Sequence, residues 1–370
     1  MNPILQNLLV FYCFSGFWQV FAVNNPITDW KTDYSKENSK RFQQLDQYAF
    51  SNDEPFHTDS LLVIQNKKIV YQKFANGYKV DQKHRIWSIS KSISAMLIGI
   101  AIKEKLLSLD DLVSKYYPQV QANYAKQLKL RHLMHMSSGF NWSEGYESNP
   151  FNSDVIKMLY IDQHKDMAAY TASRPFLHPP GKVFHYSSGE TNLIMGILKK
   201  TLTKAQYDDY PWRKLFDPLD IKTATWQQDL SGTFIGSSYL FMSPKDLAKI
   251  GTLILQKGLW NNKRVLSEDY VNYMTSLSPS MKALKSFEDD ENDSYGAQWW
   301  LNQDLANKKD SKKYPSAPDD TILGLGHHGQ LLVIIPSKNV VMVRYASDTE
   351  GAMDRDKILE YLMGAIHDKK

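Results

Sequence analysis

Trp87-Ser88-Ile89-Ser90-Lys91-Ser92 opens the segment on which the reading of this chain turns. From Ser88 the apolar residues Ile89, Ile93, Met96, Leu97, Ile100 and Ala101 recur with the 3.6-residue period of a helix. Ala95 and Gly99 keep the other faces small, and few polar residues interrupt the run before Lys103. The pattern predicts a central rather than superficial helix over 88–106. Ser88 and Lys91 are three apart and share a face of it. In the first turn, unpaired N–H groups and the helix dipole favour an oxyanion and disfavour an ammonium. Burial would lower the lysine further, so a neutral Lys91 could take the Ser88 proton. A serine helix cap followed by a surface lysine is the competing reading, and these residues alone leave both open.

Strands flank this helix at a distance. Residues 60–65 and 69–74 alternate and are rich in β-branched side chains, with Asn66-Lys67-Lys68 as a turn. An amphipathic helix is predicted over 38–50. Residues 105–285 read as helices and loops, with helices at 108–117, 130–136, 153–160, 191–201, 244–256 and 267–276. Strands return at 295–302, 324–335 and 340–346, and Ile358, Leu359, Leu362, Met363 and Ile366 form the stripe of a closing helix. The expected fold is α+β: an antiparallel sheet built from both termini (about 40–87 and 290–370), flanked by helices, plus a mainly helical lobe (about 105–285). The cleft between them is the default site.

Two further elements carry chemistry. Phe184-His185-Tyr186-Ser187-Ser188-Gly189 follows Pro179-Pro180-Gly181. A tyrosine ahead of a helix can aim its hydroxyl into a cleft, where a nearby lysine would stabilise its phenolate for proton relay. In an extended segment Ser188 would point the same way as Tyr186 and could hydrogen-bond Lys91. The second is Gly326-His327-His328-Gly329-Gln330. Glycines on a strand let substrate lie against the backbone, and the Gln330 N–H could join that of Ser88 in an oxyanion hole. Adjacent histidines on a strand point to opposite faces, and His132 with His135 lacks a third ligand, so no metal site is expected. Neither His-Glu-x-x-His nor Gly-x-Ser-x-Gly occurs. Trp142, Tyr146, Trp299 and Trp300 are candidate pocket aromatics.

Taken in order, these elements resemble the serine β-lactamase and penicillin-binding-protein superfamily, in particular its class C-type hydrolases and esterases, with the 6-aminohexanoate-dimer hydrolase group nearest. Leu107-Ser108-Leu109-Asp110-Asp111, His132-Leu133-Met134-His135-Met136-Ser137-Ser138-Gly139, the segment Ser243-Pro244-Lys245-Asp246-Leu247-Ala248 and Tyr295-Gly296-Ala297-Gln298-Trp299-Trp300 match further landmarks of that family. The resemblance covers about 58–365. It implies a β-lactamase/transpeptidase-like fold with Ser88 as nucleophile, Lys91 and Tyr186 as proton-transfer groups, and Ser188, His327, Gly329 and Gln330 about the substrate or oxyanion. Ser188 replaces the Asn usual in β-lactamases, His327 the usual Lys, and His328 the usual Thr or Ser. These departures argue against efficient antibiotic hydrolysis.

The implied function is a serine hydrolase cleaving an ester or amide through a Ser88 acyl-enzyme, on a small ester, amide or peptide-like substrate and without a cofactor. The alternatives are a D-alanyl-D-alanine peptidase or weak β-lactamase, and a non-catalytic penicillin-binding-type sensor or scaffold. The 44 basic and 40 acidic residues of the 370 give a formal charge of +4, which does not suggest a nucleic-acid partner. The charged runs Glu288-Asp289-Asp290-Glu291 and 308–313 read as solvated loops. The first 28 residues carry no charge, and 4–23 are apolar. Either residues 1–22 are a signal peptide cleaved after Ala22, leaving one catalytic domain over 23–370, or 4–23 is a membrane anchor. Both readings place the protein outside the cytoplasm, periplasmic or secreted. Cys13, the single cysteine, falls in this segment, so a processed chain would have no thiol.

Overall fold

The computed structural model describes residues 30–367 except 34, 52, 76, 146–151, 162–164, 284–293, 306–310 and 350–351. The proposed leader with Cys13, the acidic run at 288–291 and Tyr146 lie outside the described residues. The chain enters through β1 (Lys31–Thr32), α1 (Lys36–Arg41), α2 (Gln43–Ala49), β2 (Thr58–Gln65), β3 (Lys68–Phe74) and β4 (His84–Arg85), then α3 (Ile89–Lys103). The middle holds α4 (Val113–Tyr116), α5 (Leu130–Met134), α6 (Asp154–Tyr160), α7 (Met167–Ala172), α8 (Ser188–Lys200) and α9 (Lys204–Pro211). After β5 (Thr225–Trp226) and β6 (Leu240–Met242) come α10 (Pro244–Leu255), the small hairpin β7 (Leu259–Trp260) and β8 (Lys263–Arg264), α11 (Glu268–Met274) and α12 (Pro279–Ala283). The return comprises β9 (Ser294–Tyr295), β10 (Trp300–Leu301), β11 (Ile322–Gly326), β12 (Gln330–Ile335), β13 (Val340–Ala346) and α13 (Arg355–Ala365).

Eight strands from the two ends of the chain form one sheet, in the order β1-β3-β2-β13-β12-β11-β10-β9. Every pair is antiparallel except β1 with β3. The β2–β3 turn sits on Asn66 and Lys67, both at positive φ, as a tight hairpin turn requires. Alternation along the central strands sorts the core into two layers. Leu62, Ile64, Leu332, Ile334, Val341 and Val343 face the interior shared with α3 and α10. Leu61, Val63, Leu331, Val333, Val340 and Met342 face α2 and α13, through Leu45, Ile358, Leu359 and Leu362. The result is an α+β fold whose dominant antiparallel sheet is covered by helices on both faces.

The structure departs from the sequence reading at several boundaries. Residues 38–50 split into α1 and α2 at Phe42, and the 108–117 helix shrinks to α4. The expected strand 295–302 is a hairpin, β9 and β10, reversing at Gly296–Trp299 with Gln298 at φ 65°. The expected strand 324–335 breaks at His327–Gly329 into β11 and β12. Sequence periodicity gave no hint of α7, α9 or the small sheet β4-β6-β5. Strands of two or three residues show no alternation long enough to read.

Helix α10 meets the sheet through Gly251, where an added Cβ would lie 2.7 Å from Val341 Cγ1 and 3.0 Å from Leu332 Cδ1. Leu332 is fully enclosed there. Leu332→Ala therefore opens a cavity beneath α10 and is expected to lower unfolding free energy by about 2–5 kcal/mol. Urea denaturation with an unchanged m-value checks this; a loss below about 1 kcal/mol would contradict the packing described.

Candidate active site

The turn that carries Ser88 is built from both sides. Ile86 is anchored in the core and Trp87 takes φ 50°, a strained conformation for a large side chain. Ser88 then occupies the N-cap of α3, and its side chain makes no capping hydrogen bond. A serine kept only to cap would spend its oxygen on a backbone N–H. Instead Ser88 Oγ lies 2.9 Å from Lys91 Nζ. Residues Ile89–Ala101 of α3 are all buried, as expected of a central helix.

Lys91 is 1 % exposed, so it is no surface lysine. Its Nζ lies 2.9 Å from Ser88 Oγ, 3.0 Å from Ser188 Oγ and 3.2 Å from the Ser237 carbonyl. Burial lowers its pKa to about 8, while Glu144 opposes the shift. Hydrogen-bond accounting then orients the amine. The Ser237 carbonyl can only accept, and Ser188 Oγ already donates to Glu144 Oε1. A neutral amine has two N–H bonds. Giving them to Ser188 and Ser237 leaves the lone pair of Lys91 facing the Ser88 hydroxyl.

Tyr186 stands just ahead of Ser187, the N-cap of α8. Its ring stacks on Trp300 with centroids 5.2 Å apart, meets Tyr295 edge-on at 6.1 Å, and lies 4.8 Å from Lys91 Nζ. Burial and the Glu144 charge push its phenol up, and a hydrogen bond with Ser88 only partly offsets them. Burial thus favours the protonated phenol and works against the phenolate form that a nearby lysine was expected to stabilise. Ser188 starts α8 instead of continuing an extended segment, yet it reaches Lys91 as anticipated. The early helix start, three residues before 191, accounts for the difference.

Glu144 escaped the sequence reading. Its carboxylate accepts from Ser188 N at 2.9 Å, from Trp142 Nε1 at 2.6 Å and from Ser188 Oγ. Burial raises its pKa, against the pull of Lys91 and these donors. Gly189 lets α8 close on the Trp142 ring, where a Cβ would come within 2.6 Å. Trp142 is thus a core residue that holds Glu144, not a pocket wall, and Trp299 is fully buried. Of the candidate aromatics in the described residues, Trp300 is the one set against Tyr186.

The strand carrying His327 ends differently from expectation. Gly326 allows β11 to approach the Ser88 turn; a Cβ there would lie 2.5 Å from the Ile86 carbonyl. His327–Gly329 then form a tight 3₁₀ turn with His328 and Gly329 at positive φ. The two imidazoles consequently do not point to opposite faces: their centroids are 3.9 Å apart and both meet Trp87 edge-on. Gln330 contributes its side chain to the turn itself, donating to the carbonyls of His327, His328 and Ala346. Beneath it, Arg344 is fully buried and forms a bidentate pair with Asp348, 2.7 and 3.0 Å, while also donating to the Gly329 carbonyl. His132 and His135 are structural: one accepts from Lys129 N, the other bonds the Gly296 carbonyl, and burial lowers each to about 4.

A family model described as Beta-lactamase matches residues 42–364, which contain every residue of this site. The chain belongs to the Beta-lactamase family. Among curated relatives, it is 23 % identical over 313 residues to the 6-aminohexanoate-dimer hydrolase of Paenarthrobacter ureafaciens, covering 78 % of this chain and 72 % of the relative. Its fold is similar to that of EstCE1, a hydrolase with promiscuous acyltransferase activity (TM-score 0.67, 13 % identity, 89 % and 98 % coverage). It is also similar to the octameric penicillin-binding protein homologue from Pyrococcus abyssi (TM-score 0.63, 19 % identity, 88 % and 76 % coverage). This Beta-lactamase family member is a serine hydrolase acting on amide or ester bonds.

The pKa of Lys91 sets a pH dependence. If Lys91 takes the Ser88 proton, its neutral amine is the form that reacts, and Ser88 acylation by a fluorophosphonate should rise about tenfold per pH unit below 8 and level off above it. Glu144→Gln removes the charge that holds the ammonium form up, so the midpoint should move to lower pH. A midpoint that stays fixed or rises in Glu144→Gln would contradict the coupling of these two groups.

Proposed function

We propose that this enzyme hydrolyses a small ester or amide through a covalent acyl-enzyme on Ser88. The observation that carries this reading is the enclosed Lys91 Nζ within hydrogen-bond distance of Ser88 Oγ, Ser188 Oγ and the Ser237 carbonyl; once neutral, with its two N–H bonds given to Ser188 and Ser237, the amine turns its lone pair to the Ser88 hydroxyl. In the first step Ser88 Oγ bonds to the substrate carbonyl carbon as its proton passes to Lys91 Nζ. The N–H groups of Ser88 and Gln330 are the donors assigned to the resulting oxyanion. Tyr186, a protonated phenol beside both Ser88 and Lys91, supplies the leaving group's proton and recovers one from the Lys91 ammonium. Water then attacks the ester of Ser88 by the same route in reverse, releasing the acid. The chemistry runs on these side chains.

An ester or simple amide suits the site better than a β-lactam. Ser188 spends its hydroxyl on Lys91 and Glu144, and His327 packs against Trp87. A chemically inert scaffold would have no use for a lysine kept dry beside an uncapped serine.

Ser88→Ala should abolish both fluorophosphonate labelling and hydrolysis of p-nitrophenyl butyrate, without loss of folding. Labelling that persists in Ser88→Ala would overturn the assignment, and rapid turnover of a chromogenic cephalosporin would overturn the substrate class. We also propose export, on the uncharged apolar segment 4–23. Mass spectrometry of the protein from its native host should then find Val23 as the first residue; a Met1 terminus in a soluble cytoplasmic fraction would refute it.

A further inference from the structure

Arg85 lies three residues before Ser88 on β4, and nothing in the proposed acyl transfer uses it. Its guanidinium carbon sits 4.0 Å from the centroid of Trp87, 4.8 Å from Tyr239 and 5.9 Å from Phe241. The residue is half-buried, with Nη1 fully enclosed and without a hydrogen-bond partner among the described residues. The charged neighbours of β4 are engaged elsewhere. Asp59 pairs with His84, its carboxyl held low by that histidine and Ser347. Lys83 donates to Thr225. The Tyr239 hydroxyl beside the guanidinium stays protonated, since burial raises it.

This arrangement is costly as it stands. Aromatic faces repay a cation by about 0.5–2 kcal/mol and the Tyr239 hydroxyl hydrogen-bonds the guanidinium, but Nη1 is left without a partner and nothing here offers the paired acceptors of a carboxylate that suit the planar fork. The place of the cation relative to the nucleophile is also defined. Trp87 links it to His327 and His328 on one side, and Tyr239 links it to the exposed Tyr160 on the other. These rings make a continuous wall from the Ser88 turn outward, with one positive charge set into it. Three residues span at most about 10 Å of backbone, and the turn at Trp87 shortens this, so the gap is within the reach of a chain of several carbons.

We propose that Arg85 is an anion subsite that takes a free carboxylate of the substrate, several atoms from the scissile carbonyl. The substrate class is then an ester or amide that retains a carboxylate, held by the Arg85 fork while the Trp87 and Tyr239 faces cover the intervening carbons. This rests on the serine-hydrolase reading for the position of the scissile bond, but not for the binding itself.

Two measurements on the full-length protein separate those dependences. In the first, kcat/KM is compared for p-nitrophenyl hemiglutarate and p-nitrophenyl butyrate, with 4-carboxyphenyl butyrate reporting a carboxylate on the leaving-group side. The ratio of a carboxylated ester to the neutral one should fall about ten- to hundredfold in Arg85→Met, mainly through KM, with partial recovery in Arg85→Lys. An unchanged ratio for both carboxylated esters would overturn the subsite. Should Arg85→Met not fold, Arg85→Gln serves the same comparison. In the second, calorimetry follows monomethyl glutarate binding to Ser88→Ala, which needs no turnover. Binding that weakens about tenfold or more when Arg85→Met is added supports the subsite; equal binding with and without Arg85, or none in Ser88→Ala, refutes it even if the esters are hydrolysed.

Discussion

The dry environment of Lys91 is the constraint around which the rest of this structure is arranged. A lysine taken wholly out of water loses its charge readily, because burial penalises the ammonium far more than the amine. Here the penalty is tempered by Glu144, so the group stays near the threshold between the two forms instead of being fully discharged. The fixed acceptors matter as much as the pKa. Were Ser188 free to rotate, its hydroxyl could donate to Lys91 and compete for the lone pair. Glu144 prevents this by claiming the Ser188 proton, and Trp142 fixes Glu144 in turn.

Three separate parts of the chain must converge for that environment to exist. Helix α3 brings Ser88 and Lys91, the start of α8 brings Tyr186 and Ser188, and the loop before β6 brings the Ser237 carbonyl. Asn192 on α8 accepts the Ser237 N–H and so ties the last two together. The fourth wall, the 327–329 turn, is held from below by the buried Arg344–Asp348 pair. Breaking such a pair exposes the remaining partner as an unmatched charge in the interior, which makes the turn geometry stiff. The Gly329 position shows how tight this is, since a Cβ would fall 2.0 Å from Asp348 Oδ2.

Much of this was legible in the sequence, for identifiable reasons. The long central helix announced itself because thirteen of its fifteen residues are buried, leaving an apolar run that polar residues hardly interrupt. The β2–β3 hairpin and β13 were readable because their strands are seven or eight residues long. Ser88, Lys91, Tyr186 and Ser188 were singled out by spacing and order, and the structure brings all four together. Glu144 was invisible because a half-buried carboxylate in a polar loop looks like any solvated one, and its partner Ser188 on α8 lies 44 residues further on. Ser237 contributes a backbone carbonyl, which no side-chain pattern can mark.

By itself, then, the sequence determined the local facts: which segment forms the central helix, which residues share its first turn, and which segments alternate into strands. Those are set by periodicity and propensity over a few residues. The tertiary structure alone decided the ionisation states and directions that make chemistry from them. Lys91 is lowered and Tyr186 raised by burial, and the two histidines after Gly326 turn together instead of apart. Desolvation and hydrogen-bond direction depend on atoms brought in from distant parts of the chain, so they come into being only when the fold closes around the site.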